Sequence, residues 1–292
     1  MVSSERPASE PTRRGPVTIV VPTFNESENV ALLVARLAIS LCADDADILF
    51  VGDSSDDTPD VIRQCAALAS IPVSVIHRPA GDRGGGLAGA VCIGIRRARS
   101  NLIVVMDGNL QHPPEAVPRL IDGLEVGVCD IVIASRYCAD GLPAGLGSRW
   151  RRTASSSSTL LARWLFPIRV GSRCSDPMTG FFSLDRRELN IAALELGGFK
   201  ILFEILASHT LRVREVPIVL GGRYAGNSKA SWRQGGEFIL PALDLRLWSR
   251  KAFRGVDNVS HLEAAYTDSP SWPGAVIGEN AMALSATQNG EI

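Results

Sequence analysis

VTIVVPTFNESEN, residues Val17–Asn29, contains the pattern that decides the fold of this chain. Its first five residues are apolar or β-branched and Pro22 closes the run, as expected of a buried strand. The polar residues Asn25–Asn29 then favour a helix start, and the apolar segment Val30–Leu41 is predicted to form the helix itself. The stretch therefore predicts a strand, a short turn and a helix.

The same alternation of strand and helix recurs further along the chain. We predict four more strands at Asp47–Val51, Pro72–His77, Leu102–Met106 and Asp130–Ala134. The helices between them are predicted at Thr58–Ala69, Leu87–Arg99 and Pro113–Leu124. Near-continuous apolar strands that alternate with helices indicate an α/β fold, with a mostly parallel central sheet covered by helices on both faces.

Composition and charge exclude several classes of function. The chain has 292 residues, of which 46% are hydrophobic, so it can bury a sizeable core. Its formal net charge of -1 provides no global field for nucleic acid, and we expect no nucleic-acid partner. The six cysteines are scattered and form no Cys-x-x-Cys pair, which favours a reducing, cytoplasmic setting without structural zinc.

Both ends of the chain are polar and irregular. We therefore predict disordered tails at residues 1–15 and 255–292, and a single catalytic domain at residues 16–254. The longest apolar runs are strand-sized and shorter than the ~20 residues of a membrane-spanning helix, so any membrane contact is predicted to be peripheral. Two segments that mix apolar side chains with arginine, Leu160–Phe166 and Phe238–Trp248, could lie at a bilayer surface or pack in the core.

Oxygen-bearing side chains follow three of the predicted strands. They are Asn25 and Glu26 after the first strand, Asp53 after the second, and Asp107, Asn109 and Gln111 after the fourth. Parallel sheets bind ligands beyond the carboxyl ends of their strands, and carboxylate and amide oxygens suit Mg²⁺ or Mn²⁺. If the last three residues are extended, their side chains share one face and can reach one ion. Asp and Asn after a strand are also common turn formers, so both interpretations stay open at this point.

Several segments resemble, in order, the signature segments of family 2 glycosyltransferases, and most closely those of polyprenol-phosphate (dolichol-phosphate) mannosyltransferases. The strand-end segments that carry the resemblance are VPTFNE (21–26), VGDSSDDT (51–58) and MDGNLQHPP (106–114). Further along the chain come ASRY (134–137), SDPMTGFF (175–182), GFK (198–200) and RYAGNSK (223–229). The resemblance covers about residues 17 to 250 and implies the GT-A fold, a single Rossmann-like domain that binds nucleotide-diphospho-sugars.

The resemblance also implies the roles of individual residues. The nucleotide-sugar donor would be bound by Pro22, Phe24, Glu26, Asp53, Asp107 and Lys229. A metal ion, Mg²⁺ or Mn²⁺, would be bound on the donor diphosphate by Asp107, Asn109 and Gln111. The donor would be GDP-mannose and the acceptor a polyprenyl phosphate, with inversion of the sugar's anomeric centre in a single displacement. Asp107 would serve catalysis together with Arg136 and Arg223.

Arginine suits the acceptor phosphate because its planar fork binds two phosphate oxygens at once. We predict acceptor-phosphate contacts from Arg136, Arg151 and Arg223. Arg151 belongs to a basic cluster with Arg149 and Arg152, and this cluster could equally be a solvated helix start.

Three positions depart from the family pattern. Gly52 precedes Asp53 where relatives have paired acidic residues, Asn109 replaces the second carboxylate of an Asp-x-Asp motif, and Ser156 stands where the resemblance implies a phosphate-binding arginine. An amide keeps an oxygen ligand but removes a charge, which weakens cation binding. Two alternatives therefore stay open: a weakened or inactive nucleotide-sugar-binding homologue, or a transferase acting on another sugar or a soluble acceptor, with Asp176 as its base.

Two further features can be explained without a role in binding or catalysis. The loop Gly81–Gly86 opens a predicted helix and could contact the donor through its backbone, but it lacks the spacing of a nucleoside-triphosphate loop. Otherwise it is a flexible connection. His112 follows the candidate metal segment, and without a metal-ligand partner nearby in sequence we interpret it as structural.

Overall fold

A computed structural model describes residues 15–41, 45–124, 127–138, 167–194, 200–222 and 224. All of them lie in one structural unit, Met1–Arg250, whereas a second unit, Lys251–Ile292, lies outside the described residues. The sheet in the first unit consists of strands β1 (Val17–Thr23), β2 (Ala46–Gly52), β3 (Val73–His77), β4 (Leu102–Val105), β5 (Ile131–Ser135), β6 (Phe182–Asp185) and β7 (Val213–Pro217). Its first five strands were predicted from the sequence, and the last two were not.

Six of these seven strands point in a common direction. The order across the sheet is β3-β2-β1-β4-β6-β5-β7. Strands β3, β2, β1 and β4 pair in parallel, as do β5 and β7, but β6 is antiparallel to both β4 and β5. The mostly parallel α/β sheet is thus confirmed, with one reversed strand. Because β6 is reversed, it begins at the edge where β4 ends, with Phe182 opposite Val105.

Among the described residues, five α-helices pack against the sheet: α1 (Ser27–Ser40), α2 (Thr58–Leu68), α3 (Gly86–Arg97), α4 (Val117–Gly123) and α5 (Ile201–Ser208). The first three agree with the prediction within three residues at either end. The predicted helix Pro113–Leu124 is instead a 3₁₀ turn, Pro114–Ala116, followed by α4. Proline at the start of each piece explains the break, since it lacks the N–H that would continue the helical hydrogen bonds. Helix α5 was not predicted.

The hydrophobic core lies on both faces of the sheet, as predicted. Successive side chains of a strand point to opposite faces, so Ile19 and Val20 of β1 enter different clusters. Ile19 packs in a cluster with side chains of α1 and α4, and Val20 in a cluster with side chains of α3 and α5. Both residues are fully buried, and each such side chain stabilises the fold by about 1.5–3 kcal/mol.

Two further expectations concern membrane-spanning helices and the state of the cysteines. In the part of the chain that the structure describes, no helix combines the length and the apolar character needed to cross a membrane. The cysteines described there, Cys65, Cys92, Cys129, Cys138 and Cys174, carry free thiols. The two arginine-containing apolar segments, 160–166 and 238–248, lie outside the described residues, as do the predicted tails apart from Gly15.

Candidate active site at the carboxyl ends of the strands

The loops that follow β1 and β2 are joined by hydrogen bonds. The Asn25 backbone N–H donates to Ser54 Oγ at 2.9 Å, and Asn25 Oδ1 accepts from the Ser55 backbone N–H at 2.9 Å. Asn25 itself has a φ of 55°, a left-handed conformation that asparagine tolerates better than most residues. The two loops therefore form one corner of the molecule, at the carboxyl edge of the sheet.

This corner contains the residues that we predicted to bind the nucleotide, namely Pro22, Phe24, Glu26 and Asp53. Phe24 is 42% exposed. Glu26 precedes α1, and its Oε2 accepts a hydrogen bond from Asn29 Nδ2 at 2.5 Å. The structure thus brings the four residues together, and their contact with a nucleotide stays a prediction.

Arg78 is a charged residue of this corner that the sequence analysis missed. Its Nε donates to Asp53 Oδ1 at 2.6 Å, and its Nη2 pairs with Asp53 Oδ2. The guanidinium also donates to the carbonyl oxygens of Gly84, at 3.1 Å, and Gly86, at 2.7 Å. With only 3% of its surface exposed, Arg78 is a buried cation that needs such partners. An arginine directly after a predicted strand was the available signal.

The glycine-rich loop is fixed in place by these contacts rather than being a loose connection. Gly85 and Gly86 have φ values of 71° and 51°, which favour glycine. A Cβ atom on Gly89 of α3 would lie 2.1 Å from the Gly84 carbonyl oxygen, so the loop can approach the helix only because position 89 lacks a side chain. Arg78 therefore connects Asp53 to a loop of defined shape.

The predicted metal-binding segment, Asp107–Gln111, is a turn. Leu110 has a φ of 58°, so the extended conformation assumed in the sequence analysis was wrong. Asn109 Oδ1 accepts from the Gln111 backbone N–H at 3.0 Å, and Asn109 Nδ2 donates to Gln111 Oε1 at 3.3 Å. The two amide groups are thus joined to each other, whereas the Asp107 carboxylate accepts no hydrogen bond from the described residues.

Whether a divalent cation fits here depends on Asp107 and its surroundings. Its side chain is 28% exposed, and a Cβ atom on Gly180 would lie 2.6 Å from its Oδ1, so the carboxylate occupies a space that a glycine leaves open. Among the described residues no three His, Cys, Asp or Glu side chains are grouped to hold a metal. A cation at Asp107 would therefore be bound by one carboxylate, by amide oxygens and by oxygens of a ligand. That donor set suits Mg²⁺ or Mn²⁺, and the residues present fit such an ion.

His112 lies beside Asp107 with its imidazole buried. Its ring stacks on Phe181, with 5.1 Å between the ring centroids. The pKa of His112 is lowered, first because burial disfavours the charged imidazolium and also because the cations Arg136 and Lys200 repel it. The carboxylates of Asp107 and Asp176 act in the opposite direction on this pKa.

Arg136 and Asp176 form a buried ion pair next to this turn. Arg136 Nε donates to Asp176 Oδ2 and its Nη2 to Asp176 Oδ1, both at 2.6 Å. Asp176 has no exposed surface. The pKa of Arg136 is raised: burial alone would lower it, but the hydrogen bonds and charge of Asp176 outweigh that effect. Arg136 thus keeps its charge, while the predicted phosphate contact stays a prediction.

Asp176 is poorly suited to the role of general base that the soluble-acceptor alternative requires. A base must reach the proton that it accepts, whereas both oxygens of the fully buried Asp176 carboxylate already accept hydrogen bonds from the Arg136 guanidinium. Its observed contacts favour a structural role in which it orients Arg136.

Lys200 is a second cation that the sequence analysis did not assign to the site. It immediately precedes α5, is half-buried, and influences the charge state of His112 together with Arg136. Lys200 was visible in the quoted GFK segment, but its sequence separation from Asp107 gave no sign that the two lie in the same region. Two cations, Arg136 and Lys200, and two carboxylates, Asp107 and Asp176, thus act on His112.

An open cavity of about 410 Å³ borders the turn. Gln111, Val219 and Tyr224 contribute to its walls, and the Gly221 N–H donates to the Gln111 carbonyl oxygen at 2.9 Å. The segment that follows β7 therefore forms one side of a space next to the predicted metal ligands.

Comparison with known proteins assigns the chain to a family. The sequence model of Glycosyl transferase family 2 matches residues 18–187, which include both strand-end loops, the Asp107 turn and the Arg136–Asp176 pair. The chain belongs to glycosyl transferase family 2. The resemblance stated from the motifs is thereby confirmed.

Curated relatives of this family 2 glycosyltransferase agree with one another. The chain is 35% identical to a dolichol-phosphate mannosyltransferase of Pyrococcus furiosus over 80% of its own length, and this alignment spans 64% of that protein, which is less than two thirds. It is 34% identical to the dolichol-phosphate mannosyltransferase of Mycosarcoma maydis, with 78% of each chain covered. An undecaprenyl-phosphate mannosyltransferase of Micrococcus luteus is 30% identical, with 77% of this chain and 91% of that one covered.

Solved structures confirm the GT-A fold. Mannosyl-3-phosphoglycerate synthase from Rubrobacter xylanophilus superimposes with a TM-score of 0.54 at 18% identity, covering 85% of this chain and 79% of the other. Glucosyl-3-phosphoglycerate synthase from Mycobacterium tuberculosis, solved with Mn²⁺, UDP and its product, gives a TM-score of 0.55 at 20% identity, with 80% of each chain covered. At such low identity the likeness establishes the fold alone.

One departure from the family 2 pattern has a structural explanation. A Cβ atom on Gly52 would lie 2.9 Å from Thr23 Oγ1, so the usual acidic side chain at this position would collide with the threonine. Thr23 Oγ1 is buried and finds no hydrogen-bond partner among the described residues. Thr23 therefore occupies the space that a side chain at position 52 would need.

The remaining candidate residues of this family 2 enzyme lie outside the described residues. They are the predicted acceptor and donor contacts Arg151, Arg223 and Lys229, the neighbouring cations Arg149 and Arg152, and the departure at Ser156. Their assigned roles stay predictions.

Proposed function

We propose that this family 2 glycosyltransferase transfers mannose from GDP-mannose to a polyprenyl phosphate at the cytoplasmic face of a membrane, with inversion of the anomeric centre. The observation that carries the proposal is the arrangement around Asp107. A partly exposed carboxylate, without a hydrogen bond from the described residues, follows β4 and interacts electrostatically with Arg136, while Lys200 acts on the neighbouring His112. The names of the curated relatives, all mannosyltransferases of polyprenyl phosphates, support the choice of sugar and acceptor.

On the donor side, the strand-end corner would receive the nucleotide and Asp107 the diphosphate. Asp107, with Asn109 and Gln111, would hold a Mg²⁺ or Mn²⁺ ion, which neutralises the negative charge of the departing diphosphate when bound. The ordered Asp53–Arg78 pair and the fixed glycine-rich loop keep the pocket in one shape. Catalysis then depends on positioning and charge neutralisation rather than on a strong base.

On the acceptor side, an oxygen of the lipid phosphate attacks the anomeric carbon. The bond from that carbon to the donor diphosphate breaks, and the nucleoside diphosphate leaves with the bonding electrons. Because the phosphate is already an anion at neutral pH, no proton has to be removed. Asp176, the base that a soluble acceptor would require, is buried and paired with Arg136.

Transfer of labelled mannose into an organic-soluble lipid tests the proposal. Purified protein is incubated with labelled GDP-mannose, polyprenyl phosphate and Mg²⁺ or Mn²⁺, and the organic phase is analysed for mannosyl lipid. We expect product with wild type and none with Asp107→Ala. No lipid product from GDP-mannose, or labelled product only with UDP-glucose, would overturn the assigned donor.

A second candidate function is nucleotide-sugar binding without turnover. It is favoured by the hydrogen bond between the Asn109 and Gln111 amides, which occupies the oxygen of Gln111 in the absence of a second carboxylate. This candidate predicts that GDP binds to the wild-type protein while labelled mannose is never transferred. Turnover that Asp107→Ala abolishes would exclude it.

A further inference from the structure

Two residues define the space around the Asp107 carboxylate, and neither is explained by the fold alone. The first is Gly180, in the loop that leads into β6. A Cβ atom there would lie 2.6 Å from Asp107 Oδ1 and 2.9 Å from Oδ2, closer than real Cβ contacts come. Gly180 does not have a left-handed φ, so its backbone tolerates alanine. The need for glycine at this position therefore comes from the carboxylate.

The second residue is His112, on the other side of the carboxylate. Its Nδ1 lies 3.9 Å from Asp107 Oδ2, just outside hydrogen-bond distance. The residue is 5% exposed, and Nδ1 has no hydrogen-bond partner among the described residues. A buried ring nitrogen without a partner costs about 1–3 kcal/mol, so its position needs an explanation.

The ring of His112 cannot easily turn away from Asp107. It stacks on Phe181, the residue that follows Gly180, with an angle of 28° between the two ring planes. Phe181 itself is fully buried in the core cluster next to α1 and α4. One loop thus supplies both the space for the carboxylate, through Gly180, and the surface that orients the imidazole, through Phe181.

We propose that His112 is a positioning residue for Asp107: its Nδ1–H donates to Asp107 Oδ2 when a divalent cation binds the carboxylate, and Gly180 leaves the room for that arrangement. The inference rests on the proposed function in one respect, the cation at Asp107. Carboxylates that bind metals are themselves usually oriented by hydrogen bonds from neighbouring side chains. A closure of about 1 Å converts the observed contact into such a bond, and catalytic hydrogen bonds often shorten in this way on ligand binding.

The orientation of Asp107 matters particularly in this chain, because Asn109 leaves the site with one negative charge fewer than an Asp-x-Asp site. With a single carboxylate, cation affinity depends strongly on how that one group is oriented. The proposed donation does not depend on titration, since Nδ1 carries a proton in the charged imidazolium and in one neutral tautomer alike.

Two substitutions at His112 separate the donor from the ring. His112→Phe keeps an aromatic ring to stack on Phe181 but removes the nitrogen, whereas His112→Asn places an amide N–H close to the position of Nδ1. Binding of Mn²⁺, alone and with GDP, is followed by electron paramagnetic resonance, which requires no turnover. We expect His112→Phe to weaken Mn²⁺ binding about 10–100-fold and His112→Asn to restore most of the affinity. Equal affinity of the two variants would show that the nitrogen is irrelevant and overturn the proposal.

Gly180→Ala provides the second arm, with Gly123→Ala as its matched control. A Cβ atom on Gly123 would lie 2.9 Å from the Val132 side chain, so this variant is also crowded but against an apolar neighbour. We expect both variants to lose thermal stability and only Gly180→Ala to lose Mn²⁺ affinity. Loss of affinity in both, or in neither, contradicts the proposed role of Gly180.

Failure of the inference can be distinguished from failure of the proposed function. If wild type binds no Mn²⁺ even with GDP, the cation that the proposed function places at Asp107 does not bind there. The positioning role of His112 then fails with it. If wild type binds Mn²⁺ and His112→Phe binds it equally well, only the positioning role of His112 fails. If His112→Phe does not fold, the comparison of wild type, His112→Asn and Gly180→Ala still decides, because His112→Asn must bind Mn²⁺ and Gly180→Ala must not.

Discussion

Asn109 determines how much charge the candidate metal site offers. Its Nδ2 donates to Gln111 Oε1 at 3.3 Å, so this amide oxygen already accepts one hydrogen bond. Asn109→Asp would replace the donor with a second carboxylate oxygen and release Gln111. Two opposite unit charges 4 Å apart attract by about 1 kcal/mol even in water, and a divalent ion doubles this, so we expect Mn²⁺ affinity to rise at least about tenfold.

Isothermal titration with Mn²⁺ measures this increase. Asn190→Asp is the matched control, because it adds the same charge just after the 3₁₀ turn that follows β6, outside the candidate site. An unchanged affinity in Asn109→Asp would mean that Asn109 does not face the ion.

Arg78 offers a prediction about stability at the same scale. Its guanidinium and Asp53 are both largely buried, so Arg78→Met leaves an unpaired carboxylate and releases the glycine-rich loop. We expect a loss of about 3–5 kcal/mol in the free energy of unfolding, measured by urea denaturation. Arg63→Met breaks an exposed Arg–Asp pair instead and should cost less than about 1 kcal/mol. Similar losses in the two variants would contradict the structural role of Arg78.

At the scale of single residues, the sequence indicates candidate site residues better than it indicates which side chains contact them. Asp53 and Asp107 were recognised because acidic residues after a strand have a local signature. Arg78 and Gly180 were assigned no role and His112 was interpreted as structural, since their importance comes from contacts with residues distant in sequence or from the absence of a side chain. Neither property is visible in a local pattern.

Among the elements, reversed strand β6 decides where the candidate site lies. It runs antiparallel to β4, so the loop that precedes it, with Asp176 and Gly180, reaches the edge of the sheet where Asp107 follows β4. The first five strands alternate with helices and were predicted from that alternation. Strands β6 and β7 and helix α5 were not predicted. For β6 the reason is that it is short, follows an irregular segment, and takes its direction from its neighbours rather than from its own sequence.

The pairing of β5 with β7 carries a pH-dependent contribution to stability. Asp130 precedes β5, and its Oδ2 accepts hydrogen bonds from the backbone N–H of Arg212, at 2.7 Å, and from its Nε, at 3.0 Å. The hydrogen bond from the Arg212 side chain lowers the pKa of Asp130, against the opposing effect of burial. A lowered folded-state pKa means that this stabilisation is present above the unfolded value of about 3.9 and is lost as the pH falls through the folded value.

We therefore expect Asp130→Asn to reduce the free energy of unfolding at pH 7, and the difference from wild type to shrink below about pH 4. Urea denaturation at a series of pH values measures both curves. Arg212→Gln should show the same trend, and the double variant should lose less than the sum of the single losses. A difference that stays constant down to pH 3 would show that the carboxylate charge is not responsible.

For the whole molecule, the sheet brings the candidate site together from distant parts of the chain. The nucleotide corner follows β1 and β2, the metal turn follows β4, and the Arg136–Asp176 pair joins the end of β5 to the loop before β6. A ligand that bridges these loops binds only the folded protein and must stabilise all of it. The sequence predicted that the loops after β1, β2 and β4 meet at one edge, because the carboxyl ends of parallel strands share one side of a sheet.

This linkage gives a prediction for the intact chain. Mn²⁺ and GDP at about 100 times their dissociation constant stabilise the native state by about 2.7 kcal/mol, which raises the melting temperature of a domain of this size by roughly 5 to 11 °C. Because the ion bridges protein and diphosphate, EDTA should remove most of the shift produced by GDP. Asp107→Asn should do the same, whereas Asp60→Asn, which makes the same change on the exposed surface of α2, should keep the full shift. If GDP raised the melting temperature by the full amount in EDTA and in Asp107→Asn, the nucleotide would bind without the ion. Asp107 would then not be a ligand of the ion.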